Sequence, residues 1–229
     1  MKVVSTTSKL SSDKKDSPEK LAAVTTSLNT IAELREAASD CKACDLYKMA
    51  TQAVFGEGPA ESQIMFVGEQ PGDQEDRAGH PFVGPAGRLL DQVLEAVGIE
   101  HSKVYLTNVV KHFKWDAAAR GKKRIHKKPR SSEIHACRPW LDAELRVVKP
   151  RILVCLGSTA AQSLLGRTFS VTRQRGQLID SPLAPFVMAT VHPSSILHAP
   201  DSDARQLQMR AFINDLRIVN KLARKAEAA

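Results

Sequence analysis

Residues 63–76 read QIMFVGEQPGDQED. An uninterrupted apolar run, Ile64 to Val67, passes straight into Gly, Pro, Gly and a set of acids, the pattern of a buried strand that ends in a functional loop. Three further stretches repeat the theme: VYLTNVV (104–110) with Asn108 near its end, RILVCLG (151–157), and FVMATV (186–191), which runs directly into HPSSILHAP. Helical patterns lie between them. PAGRLLDQVLEAVG (85–98) puts Leu89, Leu90, Val93, Leu94 and Val97 on one face and stops at Gly98, and STAAQSLLG (158–166) reads as a short helix. Another helix opens near Ser131 or Ser132 with serine as its cap, Glu133 in the first turn and Pro139 as a kink, and a charged helix begins near Asp203. Residues 169–180, FSVTRQRGQLID, read as two short strands or a hairpin about Arg175 and Gly176. Strands that alternate with helices predict an α/β fold with a mostly parallel sheet. Such a sheet gathers the loops after its strands on one edge, so Gly68–Asp76, Asn108 with the loop after it, and His192–Ser195 are predicted to converge.

Residues 1–20, rich in Ser, Thr, Lys and Asp without periodicity, are expected to be a disordered extension, and 21–229 a single domain. Leu28, Ile31, Leu34 and Ala38 recur at helical spacing ahead of Cys41. No run approaches 18 apolar residues and the N-terminus has no apolar core of signal-peptide type, which predicts a soluble, cytoplasmic protein. The net charge is +8, and residues 111–130 carry all of it, with nine basic residues against Asp116. Charge concentrated in one loop on a neutral body suggests a docked polyanion, most commonly nucleic acid, with a solvated surface loop as the plain alternative. Within it lies GKKRIHKKPR (121–130), where His126 stands alone among six cations. The chain has four cysteines, Cys41, Cys44, Cys137 and Cys155. One close pair with two distant partners leaves an iron–sulfur cluster and zinc both open, and Cys155, inside an apolar run, equally reads as core.

Taken in order, GEQPGDQED, PFVGPAG, TNVVK, the basic RIH loop and HPSS, with the four cysteines, resemble the uracil-DNA glycosylase superfamily of the iron–sulfur type. The Gln of GEQPG and the KKRIH insertion resemble its UdgX-like branch, whose members couple covalently to uracil-containing DNA. The resemblance runs from about Cys41 to Leu216. It implies a three-layer α/β/α sandwich around a four-stranded, mostly parallel sheet. It also implies a [4Fe-4S] cluster on Cys41, Cys44, Cys137 and Cys155, a monomer, and uracil-containing DNA as substrate, with single strands preferred because no base pair must be broken.

The resemblance also distributes roles. Asn108 would read the pairing edge of a flipped uracil, Phe82 would stack on it, and Gly68 belongs to the same pocket. His192 would donate to uracil O2 as the base departs with negative charge, and Ser194 and Ser195 would meet flanking phosphates. His126 would take the sugar at C1′ where other members use water, with neighbouring cations keeping its ring neutral. Glu69 would orient that ring or take its proton, while Gln70, Asp73 and Asp76 share the loop in which relatives hold a water. Arg124 would position the histidine loop, and Lys111 would contact DNA. Two departures are visible: His198 stands where relatives usually have Arg, and Lys123 replaces the first Arg of a KRRIH pattern. The alternatives are a turnover glycosylase that uses water and a non-catalytic, zinc-stapled nucleic-acid-binding module.

Overall fold

The computed structural model describes residues 17–118 and 124–227. Helices α1 (Pro18–Ser27) and α2 (Ile31–Ser39) come first. Residues 1–16 of the expected extension lie outside the described residues, but 18–20 are the first turn of α1, capped by Ser17, whose Oγ accepts the Lys20 amide at 3.2 Å. Leu21 behind that turn is fully buried, so the fold begins earlier than the helical spacing from Leu28 suggests. A short 3-10 turn, Asp45–Lys48, follows the close cysteine pair.

Strand β1 (Ile64–Gly68) leads through α3 (Asp73–Ala78) and α4 (Pro85–Val97) to β2 (Val104–Asn108). A two-stranded hairpin, β3 (Trp115–Ala117) and β4 (Arg124–His126), carries the histidine, and α5 (Ser131–Val148) returns across the sheet. Then come β5 (Ile152–Leu156), α6 (Ser158–Leu165), α7 (Val171–Gln174), β6 (Leu178–Ile179), β7 (Phe186–Thr190), α8 (Pro193–Leu197) and α9 (Ser202–Glu227).

The main sheet has the order β2-β1-β5-β7-β6. The first four strands are mutually parallel and match the four expected; β6 adds a fifth, antiparallel to β7. The four-stranded expectation is therefore corrected. Of the stretch 169–180, its first half is the short helix α7 and only Leu178–Ile179 pairs with the sheet. Helix α5 also differs at its start. Arg130, not a serine, is the N-cap, and its amide is satisfied by Glu133 Oε2 at 2.6 Å, which leaves Ser131 and Ser132 as helical residues. Pro139 sits inside α5 without ending it.

Period-two alternation along the parallel strands explains the layers. Met65, Val67, Tyr105, Leu153, Val187 and Ala189 face one core with α1, α2 and α5; Ile64, Phe66, Val104, Leu106, Ile152, Val154 and Met188 face the other with α4, α8 and α9. Each fully buried side chain of this size is worth about 1.5–3 kcal/mol, and both faces consist of such residues, which is why the strands read as continuous apolar runs. Because the strands are parallel, Gly68, Asn108, Leu156 and Thr190 end on one edge. The chain moves from β1 outward to β2 and later to β5 on its other side, so the loop after β1 lies where the strand order reverses, the usual place for a ligand in such sheets. Among the described residues no helix is long and apolar enough to cross a membrane.

Candidate active site

The three loops converge on a cavity of about 430 Å³ lined by Gln70, Phe82, Asn108, His126, His192 and His198, among others. Its floor is Gly68. A Cβ at that position would lie 2.4 Å from Asn108 Oδ1 and 2.8 Å from Phe82 Cζ, too close for either, and in ordinary contact with His192 Nε2 at 3.5 Å, so glycine is what lets Asn108 and Phe82 approach here. Phe82 reaches it from a positive φ of 58°, a conformation costly for a bulky side chain and typical of functional positions. No hydrogen bond engages the Asn108 side-chain amide among the described residues, although the residue is buried at the end of β2. A somewhat larger hollow, about 520 Å³, lies on the opposite edge of the sheet, between Gln63, Gly98 and Arg224, away from these groups.

His192 caps α8 with its own ring. Nδ1 accepts the Ser194 amide at 3.2 Å and lies 2.7 Å from Ser194 Oγ, so the ring proton resides on Nε2, the nitrogen nearest the floor. Burial, reinforced by the charge of His126, pushes its pKa down to about 4. The ring is thus a neutral N–H donor at physiological pH, with the Phe82 ring centroid 6.2 Å away and the two planes within 30°. The Ser194 hydroxyl is occupied in orienting this imidazole, and Ser195 Oγ donates to the His192 carbonyl at 2.8 Å, so both serines serve the His192 turn.

His126, half-exposed at the end of β4, is gripped by Gln70. The orientation of the Gln70 amide follows from two backbone partners: Lys114 N–H donates to Oε1 at 3.1 Å, and Nε2 donates to the Lys127 carbonyl at 2.9 Å. The second Nε2 proton points at His126 Nε2, 2.8 Å away, which makes that ring nitrogen the acceptor with its lone pair toward the cavity side. Glu69 Oε1 is 3.7 Å from the same nitrogen, and Glu69 Oε2 accepts the Thr159 hydroxyl from the first turn of α6. Glu69, Gln70, His126 and His192 also border an adjoining hollow of about 280 Å³.

Of Arg124, expected to position the histidine loop, and Lys111, expected to contact DNA, only the second expectation is corrected by the geometry. Arg124 does not face outward. Its guanidinium bonds Asp73 and, at 2.6 Å, Asp76, with the rings of Phe113 and Trp115 at 5.3 and 5.4 Å. It therefore ties the histidine hairpin to α3, as a loop-positioning contact would, and makes no surface available to phosphate. Asp76 is fully buried and also accepts the Thr51 amide and hydroxyl. Burial opposes the charge of Asp73, but Arg77 and Arg124 outweigh it and hold its carboxyl below the usual range. Asp76 is thus enclosed by its partners, while Asp73, paired to both arginines, still borders the cavity. Lys111 is buried against Glu144 at 2.5 Å and does not reach a DNA surface. Lys122 and Lys123 lie outside the described residues.

Two contributors were not singled out from the sequence. Glu75 accepts the Gly72 amide at 3.1 Å and the Gly84 amide at 2.7 Å, clamping the loop after β1 to the loop that carries Phe82. Its position three residues after Gly72 is the N-capping spacing and was the available signal. Thr159 was hidden in a plain helix start, STAA, and only the fold brings it to Glu69.

Cys41, Cys44 and Cys137 influence one another: burial raises Cys44 to about 11 and Cys137 further, with neighbouring thiols adding to both. Trp140 Nε1–H donates to Cys41 Sγ and the Lys111 amide to Cys137 Sγ, each at 3.2 Å, the kind of N–H···S contact that cluster thiolates receive. Cys155 sits inside β5, paired to Val67 and Ala189, and is raised to about 12 by burial alone. It belongs to the same buried cluster as Cys41 and Cys137. Among the described residues no three His, Cys, Asp or Glu side chains meet with metal-ligand spacing. His112, next to the amide that bonds Cys137, is buried, which pushes its pKa down to about 4 despite the opposing charge of Asp76.

Residues 55–217 match the uracil DNA glycosylase superfamily. Similar proteins include a Type-4 uracil-DNA glycosylase of Sulfurisphaera tokodaii, 36% identical over 76% of this chain and 79% of its own. Another, from Thermotoga maritima, is 37% identical over 78% of this chain and 91% of its own. A Type-5 uracil-DNA glycosylase of Pyrobaculum aerophilum is 29% identical over 61% of this chain and 64% of its own.

Proposed function

The chain belongs to the uracil-DNA glycosylase superfamily, and on that premise we propose that it excises uracil from DNA and then captures the resulting sugar on His126. The target nucleotide leaves its strand and enters the cavity. There Phe82 supplies a stacking surface and the unengaged Asn108 amide pairs with uracil O4 and N3. The C1′–N1 bond breaks, its electron pair departs with uracil, and the charge that develops on O2 is met by the His192 Nε2–H. A cationic sugar remains. His126 Nε2 gives up its Gln70 hydrogen bond and forms the new bond to C1′. The alkylated ring then loses its Nδ1 proton to solvent or to the departing uracil anion. The Glu69 carboxylate, fixed by Thr159, lies beside the ring and favours the cationic stages. The neutral glycosyl-imidazole that results has a poor leaving group, so the protein acts once.

The observation that carries this reading is the presentation of His126 Nε2. Its lone pair is defined by an amide whose orientation two backbone groups fix, and it borders the same cavity as Asn108 and His192. The relatives named as Type-4 uracil-DNA glycosylases favour a second reading, excision with water as the acceptor and repeated turnover. One experiment separates them. Uracil-containing single-stranded DNA is incubated with the protein, released uracil is counted, and the reaction is run on a denaturing gel. We expect one uracil per protein molecule and a shifted species that vanishes in His126→Ala; many uracils per molecule with no shifted species would establish the water route.

An iron–sulfur cluster, which would serve here as a structural staple, would be held by the thiols of Cys41, Cys44, Cys137 and Cys155, which lie in or against one buried cluster on the same side of the sheet. No step above depends on it. Iron content should fall in Cys137→Ala and in Cys155→Ala.

A further inference from the structure

Lys111 is a buried cation with no part in the chemistry above, and its hydrogen bonds lead to the base reader. Its ammonium donates to the main-chain carbonyl of Asn108 at 2.9 Å, to Thr107 Oγ1 at 2.6 Å and to Glu144 Oε2 at 2.5 Å, which uses all three N–H groups. The Phe55 ring lies 5.2 Å away. Glu144, from α5, is equally buried and also accepts the Gly56 amide at 3.0 Å, the Tyr105 hydroxyl at 3.1 Å and the Thr107 hydroxyl at 2.9 Å. Backbone and side chains are packed tightly here: a Cβ on Gly56 would lie 2.2 Å from Glu144 Oε1.

Stability alone is a poor reason for this arrangement, because a buried ion pair is commonly no better than apolar residues of the same volume. Its direction is the informative feature. The lysine reaches back three residues to the carbonyl of Asn108, the last residue of β2. That contact fixes the peptide plane after Asn108 and with it the direction of the Asn108 side chain over Gly68. The Lys111 amide is meanwhile tied to Cys137 Sγ, so the loop 108–111 is held at both ends. We infer that the Lys111–Glu144 pair is a positioning device that aims the Asn108 amide at uracil and thereby sets base selection. This rests on the glycosylase reading of the cavity.

The test is the double variant Lys111→Met/Glu144→Gln, which removes both charges together and leaves no unpaired ion in the core. Four quantities are compared with the parent: thermal unfolding, affinity for a uracil-free single strand, inhibition by free uracil, and the single-turnover excision rate. Misplacement of a reading group by about 1 Å costs on the order of 100-fold. The folded double variant should bind uracil-free DNA as the parent does, yet lose about 10- to 100-fold in excision rate and in affinity for free uracil. A folded variant that matches the parent on both uracil readouts overturns the inference. Should the double variant fail to fold, Thr107→Val removes one ammonium acceptor with little change of shape. It should then lose about 3- to 10-fold in excision with unchanged uracil-free binding, and parental excision would equally overturn the idea. A parent that releases no uracil would overturn the glycosylase reading itself, whereas a competent parent matched by its variant sinks the positioning role alone.

Discussion

Replacing His192 by alanine should slow uracil excision by about 100- to 1,000-fold while DNA affinity stays within a few fold. The figure follows from how the ring is bonded. Nδ1 is committed to Ser194, so the single ring proton is on Nε2, beside Gly68 and Asn108. One preorganised donor to a developing oxyanion is worth about 3–4 kcal/mol, and each 1.36 kcal/mol is tenfold in rate. Burial, with the charge of His126, holds the pKa near 4, so the ring remains a neutral donor throughout the physiological range. Folding is linked to the same shift. An unfolded histidine takes up its proton near pH 6.5 and the folded one near 4, so the folded state loses stability as pH falls through that window. The loss is at most about 3 kcal/mol, less to the extent that solvent enters through the cleft mouth. The assay is single-turnover uracil release between pH 5.5 and 8, in a His126→Ala background so that covalent capture does not contribute, with thermal melts at each pH. The rate should stay flat while the melting temperature drops on the acid side, and the drop should be smaller in His192→Ala. A tenfold fall in rate with a midpoint near pH 6.5, or a loss below tenfold in His192→Ala, would refute the assignment of Nε2–H as the neutral donor.

Gly68→Ala should abolish inhibition by free uracil without unfolding the protein, since the new methyl meets Asn108 Oδ1 and Phe82 Cζ inside the cavity; titration with uracil checks this. Arg124→Ala strips the cation from fully buried Asp76, a change that typically costs about 3–5 kcal/mol. Its melting temperature should fall by roughly 6–15 °C, and the yield of the covalent species should fall with it as the hairpin loses its tether. Thr159→Val removes the hydroxyl that fixes Glu69, a hydrogen bond to a charged group worth about 1.5–3 kcal/mol. Covalent capture, timed by quenched samples on denaturing gels, should slow at least tenfold, while release of uracil changes less.

Much of this was legible in one dimension. Four parallel strands, their carboxyl-end loops and the convergence of Gly68, Asn108 and His192 follow from apolar runs that break into Gly, Asn and His-Pro, because a strand buried on both faces must be apolar along its length and its polar residues fall at the end. The strand after Gly176 was legible too, but not its place as an antiparallel edge on β7, nor the helix that replaces its expected hairpin partner, since two paired residues leave no periodicity to read. Charge was the least reliable guide. Lys111 and Arg124 belong to the same basic stretch as Lys127 and Lys128, yet two of these cations are buried on carboxylates, because composition counts charges and does not record the partners that Asp73, Asp76 and Glu144 supply from other elements. Spacing likewise could not show how the thiols are disposed: Cys155 lies within β5, while Cys41 and Cys137 accept N–H groups from Trp140 and Lys111. The sequence by itself determined the layered α/β fold and which side chains are chemically able to serve uracil excision. Only the tertiary structure decided which nitrogen of His126 carries its proton and what holds Glu69, because those depend on partners distant in the chain: Gln70 is 56 residues from His126, Lys114 44 from Gln70 and Thr159 90 from Glu69.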